Sequence, residues 1–145
     1  MTDLKLLALD ADDLAIISAH MQDAVFKVGD LNFSARSGLF SLAANRFVWE
    51  KAARAAKSFE RRRAGLSFKR VEAVRSIGFD RGKPDEVMSL LAIRHVPRGE
   101  GPEGVIELVL AGGGMIALEV ECIEAQLADT GGAWETTARP EHEAG

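Results

Sequence analysis

Asp10, Asp12, Asp13, Asp23 and Asp30 could act as general acids or bases, and Ser18, His20 or Cys122 as a nucleophile or its base. Proton transfer and covalent catalysis need such groups within hydrogen-bond reach of one another. No spacing along this chain gathers them into a known arrangement, and capping of a helix accounts better for Asp12 and Asp13. His20, His95 and His142 show no metal-ligand spacing among themselves, so neither a metal site nor a cofactor is assigned, and no catalytic residue is named. Cys122 lies among Glu119, Glu121 and Glu124, whose charge opposes thiolate formation, and it reads as an inert or buried thiol. Gly112-Gly113-Gly114 invite comparison with a phosphate loop. They lie between two apparent strands, however, with no Lys-Ser/Thr after them and acidic neighbours, which fits a structural turn.

Charge is the other source of chemistry. Residues 51–75 hold nine basic side chains against Glu60 and Glu72, a net of +7, while the remaining nine basic and twenty acidic residues sum to −11. Lys51, Arg54, Lys57, Arg61, Arg62, Arg63, Lys69 and Arg70 are therefore the candidate contacts for an anionic ligand or a partner, with Trp49, Phe59 or Phe68 available for stacking. The acidic remainder would repel nucleic acid unless it faces away. A solvated connection between strands explains the run better than a binding surface does, and residues 50–65 read as helix, loop or disordered segment.

Positioning these residues falls to short elements. Leu4–Leu9 is an apolar run expected as a buried strand. Asp10 then caps a helix over Ala11–Gln22, whose Leu14, Ile17 and Met21 recur at helical spacing. Ala24–Phe33 and Leu39–Trp49 read as strands joined by a turn over Ser34–Gly38, with a bulge or bend at Gly29-Asp30. Leu66–Phe79 is β-rich and expected to break near Glu72. A loop over Asp80–Asp85, a strand over Val87–Val96 stopped by Pro97, and a turn over Arg98–Gly104 follow. Val105–Leu110 and Met115–Val120 alternate with period two around the glycines, placing Ile106, Leu108, Leu110, Ile116, Leu118 and Val120 on one face. Ile123 and Leu127 stand four apart, which predicts an amphipathic C-terminal helix ending near Thr130-Gly131-Gly132, with Glu121 and Glu124 in its first turn. The tail 133–145 is polar, and Trp134 is expected to fold back onto the core.

The 145 residues suit one domain, placed at 1–132 with the tail 133–145 outside it, and a 47% hydrophobic content allows a sizeable core. No apolar run approaches the about 18 residues of a membrane-spanning helix. Met1-Thr2-Asp3 lacks a basic leader, and a single cysteine fits a reducing compartment, so the expected location is the cytoplasm.

Leu4-Lys5-Leu6, Asp10 to Leu14, His20 to Ala24, Lys27 to Asp30, Asn45-Arg46-Phe47 and Gly112 to Asp129 together resemble the uncharacterised bacterial family called domain of unknown function 2948, found mainly in alphaproteobacteria. The resemblance spans nearly the whole chain and implies no activity, cofactor or catalytic residue. The element order is also similar to a pleckstrin-homology-like fold, in which antiparallel strands precede a C-terminal helix that plugs an open barrel end; the early strand and helix depart from it. The expected fold is thus α+β, a mainly antiparallel sheet or open barrel of about six to seven strands with an N-terminal helix and a C-terminal capping helix.

Three functions compete. A non-enzymatic protein- or peptide-binding adaptor would use a sheet edge or the groove beside a helix. An anion-binding domain would engage nucleic acid or lipid headgroups through 51–75. An enzyme would need the scattered acids gathered in a pocket. The expected partner is an unidentified protein, with nucleic acid, anionic lipid or a second copy as alternatives.

Overall fold

The computed structural model describes residues 4–48 and 60–135. After the short strand β1 (Lys5–Ala8), Asp10 accepts the Asp13 N–H at 2.8 Å and opens helix α1 (Ala11–Met21), with Asp12 and Asp13 in its first turn. Leu14, Ile17 and Met21 form its buried stripe. The strands that follow are β2 (Val25–Lys27), β3 (Leu31–Ser34), β4 (Leu39–Phe47), β5 (Glu60–Phe68), β6 (Val71–Ile77), β7 (Val87–Pro97), β8 (Gly104–Leu110), β9 (Met115–Val120) and β10 (Ala125–Glu135). A 3-10 turn, Val28–Asp30, interrupts the chain where Gly29-Asp30 suggested a bend, and a second, Ala111–Gly113, lies between β8 and β9.

All ten strands join one antiparallel sheet in the order β1-β10-β5-β4-β2-β7-β8-β9-β6, with β3 beside β4. This order returns on itself. β9 runs through residues 121–124 into β10, while β5 runs through Lys69-Arg70 into β6. The ladder between β5 and β10 therefore continues, past a corner, as the ladder between β6 and β9. At the corner Lys69 N–H donates to Glu124 O at 2.9 Å and Glu121 N–H to Arg70 O at 3.0 Å. A left-handed backbone at Arg70, φ 61°, makes the bend. Going round, β4, β5, the bent β10–β9 strand, β8, β7 and β2 close a ring. Helix α1 packs against β1, β4 and β7.

The inward face reads off the register. Phe40, Phe68 and Ala125 lie side by side on β4, β5 and β10, followed by Leu42, Leu66 and Leu127, then Ala44, Ala64 and Asp129. Phe40 and Phe68 stack tilted, ring centroids 6.3 Å apart. From the other half of the ring, Leu90, Ile93, Ile106, Leu108, Leu110, Ile116, Leu118 and Val120 complete the same core. The face assigned from the β8 and β9 alternation is thus the buried one.

The expected C-terminal helix is absent, and with it the α+β class, the count of about six to seven strands and the pleckstrin-homology-like plug. Residues 125–135 form β10, hydrogen-bonded to β5 and β1. The four-residue interval between Ile123 and Leu127 is two strand periods as well as one helical turn, and Ile123, Ala125, Leu127 and Asp129 are all buried at period two. Glu121 and Glu124 belong to the corner, where Cys122 also sits, half-buried. The glycine triplet does make the turn between β8 and β9, with Gly112 at φ 85° and Gly113 at φ 94°. Trp134 pairs along β10 with Arg61 of β5. The strand expected over Leu66–Phe79 begins earlier, at Glu60, breaks at Lys69-Arg70 and bulges at Glu72. Among the described residues no helix is long and apolar enough to cross a membrane.

Candidate functional site

The basic segment does not form one surface. Arg61, Arg62 and Arg63 open β5, and Lys69 and Arg70 follow its far end. At about 3.3 Å per residue, Arg63 and Lys69 stand roughly 20 Å apart along the strand. Lys51, Arg54 and Lys57 lie outside the described residues, as do Trp49, Phe59 and His142.

Alternation along β5 separates the three arginines. Arg62 points inward beside Arg46 of β4, and the two share one carboxylate. Arg46 Nε donates to Asp129 Oδ1 at 2.8 Å and its second nitrogen to Oδ2 at 3.1 Å, while Arg62 Nη1 stands 4.0 Å from Oδ2. Arg46 and the Asp129 side chain are each 1% exposed. Asp129 also accepts the Leu4 N–H at 3.0 Å, and its own N–H donates to Leu4 O at 2.9 Å, which ties β1 to β10. Ala44 and Ala64, the small residues of that cross-strand row, sit beside the carboxylate in register. Such a fork of paired charge-assisted bonds fixes geometry strongly in a buried setting.

Outward from that cluster, Arg61 lies over the Phe47 ring at 5.8 Å and donates to Asn45 O at 3.3 Å. Burial lowers its pKa from the usual arginine value, and the charge of Asp23 pulls the other way. Arg63 donates to Asn45 Oδ1 at 3.3 Å and stands 3.8 Å from Asp30. It lines a small hollow of about 360 Å³ with Lys27, Asp30 and Asn45.

At the other end of β5 an open cleft of about 790 Å³ lies where the β3–β4 turn meets the corner. Arg36 and Gly38 line one side, and Lys69, Arg70, Glu72, Glu121 and Glu124 the rest. The corner charges pair among themselves: Lys69 with Glu124 at 3.9 Å, Arg70 with Glu124 at 3.5 Å and with Glu121 at 3.9 Å. Arg36 and Glu72 have no ion-pair partner among the described residues. Val71 N–H donates to Gly38 O at 2.9 Å, which pins the turn against the start of β6.

Several of the candidate acids and nucleophiles serve local structure. Asp10 caps α1, Asp30 accepts the Lys27 N–H at 3.3 Å, and Asp23 adopts φ 66° as its N–H bonds Leu90 O at 2.7 Å. Ser18 Oγ accepts the Ile93 N–H at 2.8 Å beside the bulge of β7, which gives it an anchoring role. Among the described residues, no group of His, Cys, Asp and Glu side chains is arranged to hold a metal.

Arg36, Arg46 and Asp129 were missed by sequence reasoning. Arg46 does continue the inward alternation Phe40, Leu42, Ala44, and Asp129 continues Ile123, Ala125, Leu127. Those alternations were the available signal, but the pairing of the two strands across β5 is not written in either one.

A family model described as "Protein of unknown function (DUF2948)" matches residues 4–142. No curated protein and no solved structure matches the chain.

Proposed function

Given that this chain belongs to the DUF2948 family, whose function is unknown, we propose that it is a non-enzymatic binding module that receives a protein or peptide segment in the corner cleft. The observation that carries this reading is the cleft itself. It is large enough for several side chains, built on hydrogen-bonded strand ends, and lined by charges of both signs. Paired corner charges give it a fixed shape, while Arg36 and Glu72, without an ion-pair partner among the described residues, offer one charge of each sign for orientation. The lone half-buried thiol supports a cytoplasmic setting for such a module.

The test is capture from a cell lysate, with and without nuclease, on immobilised wild type and on a variant carrying Arg36→Glu and Glu72→Lys. Both substitutions fall on exposed residues, so an unchanged melting temperature is the control. A nuclease-resistant protein held by the wild type and lost by the variant supports the reading. Nuclease-sensitive capture that survives the cleft variant but is lost in Arg61→Ala/Arg63→Ala would replace it with anion binding along β5.

A further inference from the structure

We propose that the cleft and the free edge of β6 form one continuous site for an extended peptide that adds to the sheet as a further strand. This rests on reading the cleft as the binding surface and names how the ligand is held. β6 pairs with β9 along its length on one side and ends the strand order. On its other side, among the described residues, the Val71 N–H bond to Gly38 O is its one backbone bond. Beyond Glu72, among the described residues, that edge carries unpaired main-chain donors and acceptors, the requirement for strand addition. The edge starts inside the cleft, since Val71 and Glu72 line it, so a chain leaving the cleft meets the edge directly. The bulge at Glu72 turns the strand there and keeps the charged cleft from being a plain sheet edge. Further along, Arg75 is exposed and Ile77 half-exposed.

Charge selects the ligand. Lys69, Arg70, Glu121 and Glu124 neutralise one another, leaving Arg36 on one wall and Glu72 on the other. The matching ligand is an extended segment carrying an acidic and a basic residue, bound by backbone hydrogen bonds along residues 73–77 and by those two ion pairs in the cleft. Strand geometry directs alternate ligand residues toward the edge.

The experiment selects ligands from a random library of short displayed peptides against the intact protein. Affinities of the selected peptides are then measured for wild type, Arg36→Glu and Glu72→Lys, and for peptides N-methylated at alternate residues. Expected are peptides with both signs of charge, an about tenfold loss of affinity in each cleft variant, and abolition of binding by methylation at one alternate set but not the other. Hydrogen exchange should slow at β6 amides between Ala73 and Ile77. Binding that is lost in the cleft variants but indifferent to methylation, with β6 exchange unchanged, overturns strand addition and leaves the cleft reading standing. Failure to select any peptide, or binding indifferent to both cleft variants, overturns both. Protection of the β6 edge without peptide in a sedimenting dimer overturns the peptide proposal in favour of a second copy on that edge.

Discussion

Replacing Asp129 by alanine removes the acceptor of three hydrogen bonds at once, two from Arg46 and one from the Leu4 N–H. What remains is two arginine side chains, 1% and 4% exposed, facing a space that no longer holds their carboxylate. Breaking a buried pair from one side costs about 3–5 kcal/mol because the surviving charge is left desolvated. That is a large part of the roughly 5–15 kcal/mol by which a domain is stable. With a urea m-value of about 2 kcal/mol/M, the unfolding midpoint should fall by roughly 2 M. Asp129→Asn keeps the shape and one acceptor oxygen and should cost less. The internal control is Arg94→Ala. Arg94 Nε and Glu107 stand 2.6 Å apart, closer than Arg46 and Asp129, but the arginine is 60% exposed. Solvent screening limits that pair to about 1 kcal/mol or less. Equilibrium urea unfolding followed by tryptophan fluorescence measures all three. A loss below about 1 kcal/mol for Asp129→Ala, at unchanged m, would refute the claim that burial rather than distance sets the worth of these ion pairs.

Leu118→Ala and Leu127→Ala, both fully buried in the wild type, should each cost about 2–5 kcal/mol in the same assay, and an unchanged midpoint would remove them from the core. A methyl group at Gly104 would collide with His95 Nε2 and come within 2.5 Å of Val96 O, so Gly104→Ala should destabilise by about 1–3 kcal/mol, with partial recovery when His95→Ser is added. Arg70 holds φ 61° but also bonds Glu121 and Glu124 on an exposed surface. Arg70→Gly should therefore stay within about 0.5 kcal/mol of wild type while the β-branched Arg70→Val loses about 1–2 kcal/mol, measured as melting-temperature shifts.

Local signals carried much of the fold. The Asp10 cap, the stripe on α1, the alternation of β8 and β9 and the glycines between them are each complete within a few neighbouring residues, and each was legible. Ile123 and Leu127 were not, because their interval satisfies both periods and what selects the strand is β5 and β1 on either side. The arginine run was legible as charge but not as geometry. Alternation buries Arg62 and half-exposes Arg63, and the nine residues of β5 carry Arg61 far from Arg70. Arg46 and Asp129 are 83 positions apart, and their meeting depends on the register of two ladders with β5. The cleft likewise gathers three segments that are remote in sequence, residues 35–39, 69–72 and 121–124.

The bond between Leu4 and Asp129 spans 125 positions. During synthesis at about 5–20 residues per second, the first strand leaves the ribosome roughly 6–25 s before its partner exists. Until then β1 has an unpaired edge on both sides, Asp129 has not been made, and Arg46 and Arg62 have no carboxylate between them. The pairings of β2, β3, β4, β5, β7, β8 and β9 with one another need none of the last strand, whereas the docking of β1 and the closing of the ring between β5 and the bent β10–β9 strand wait for it.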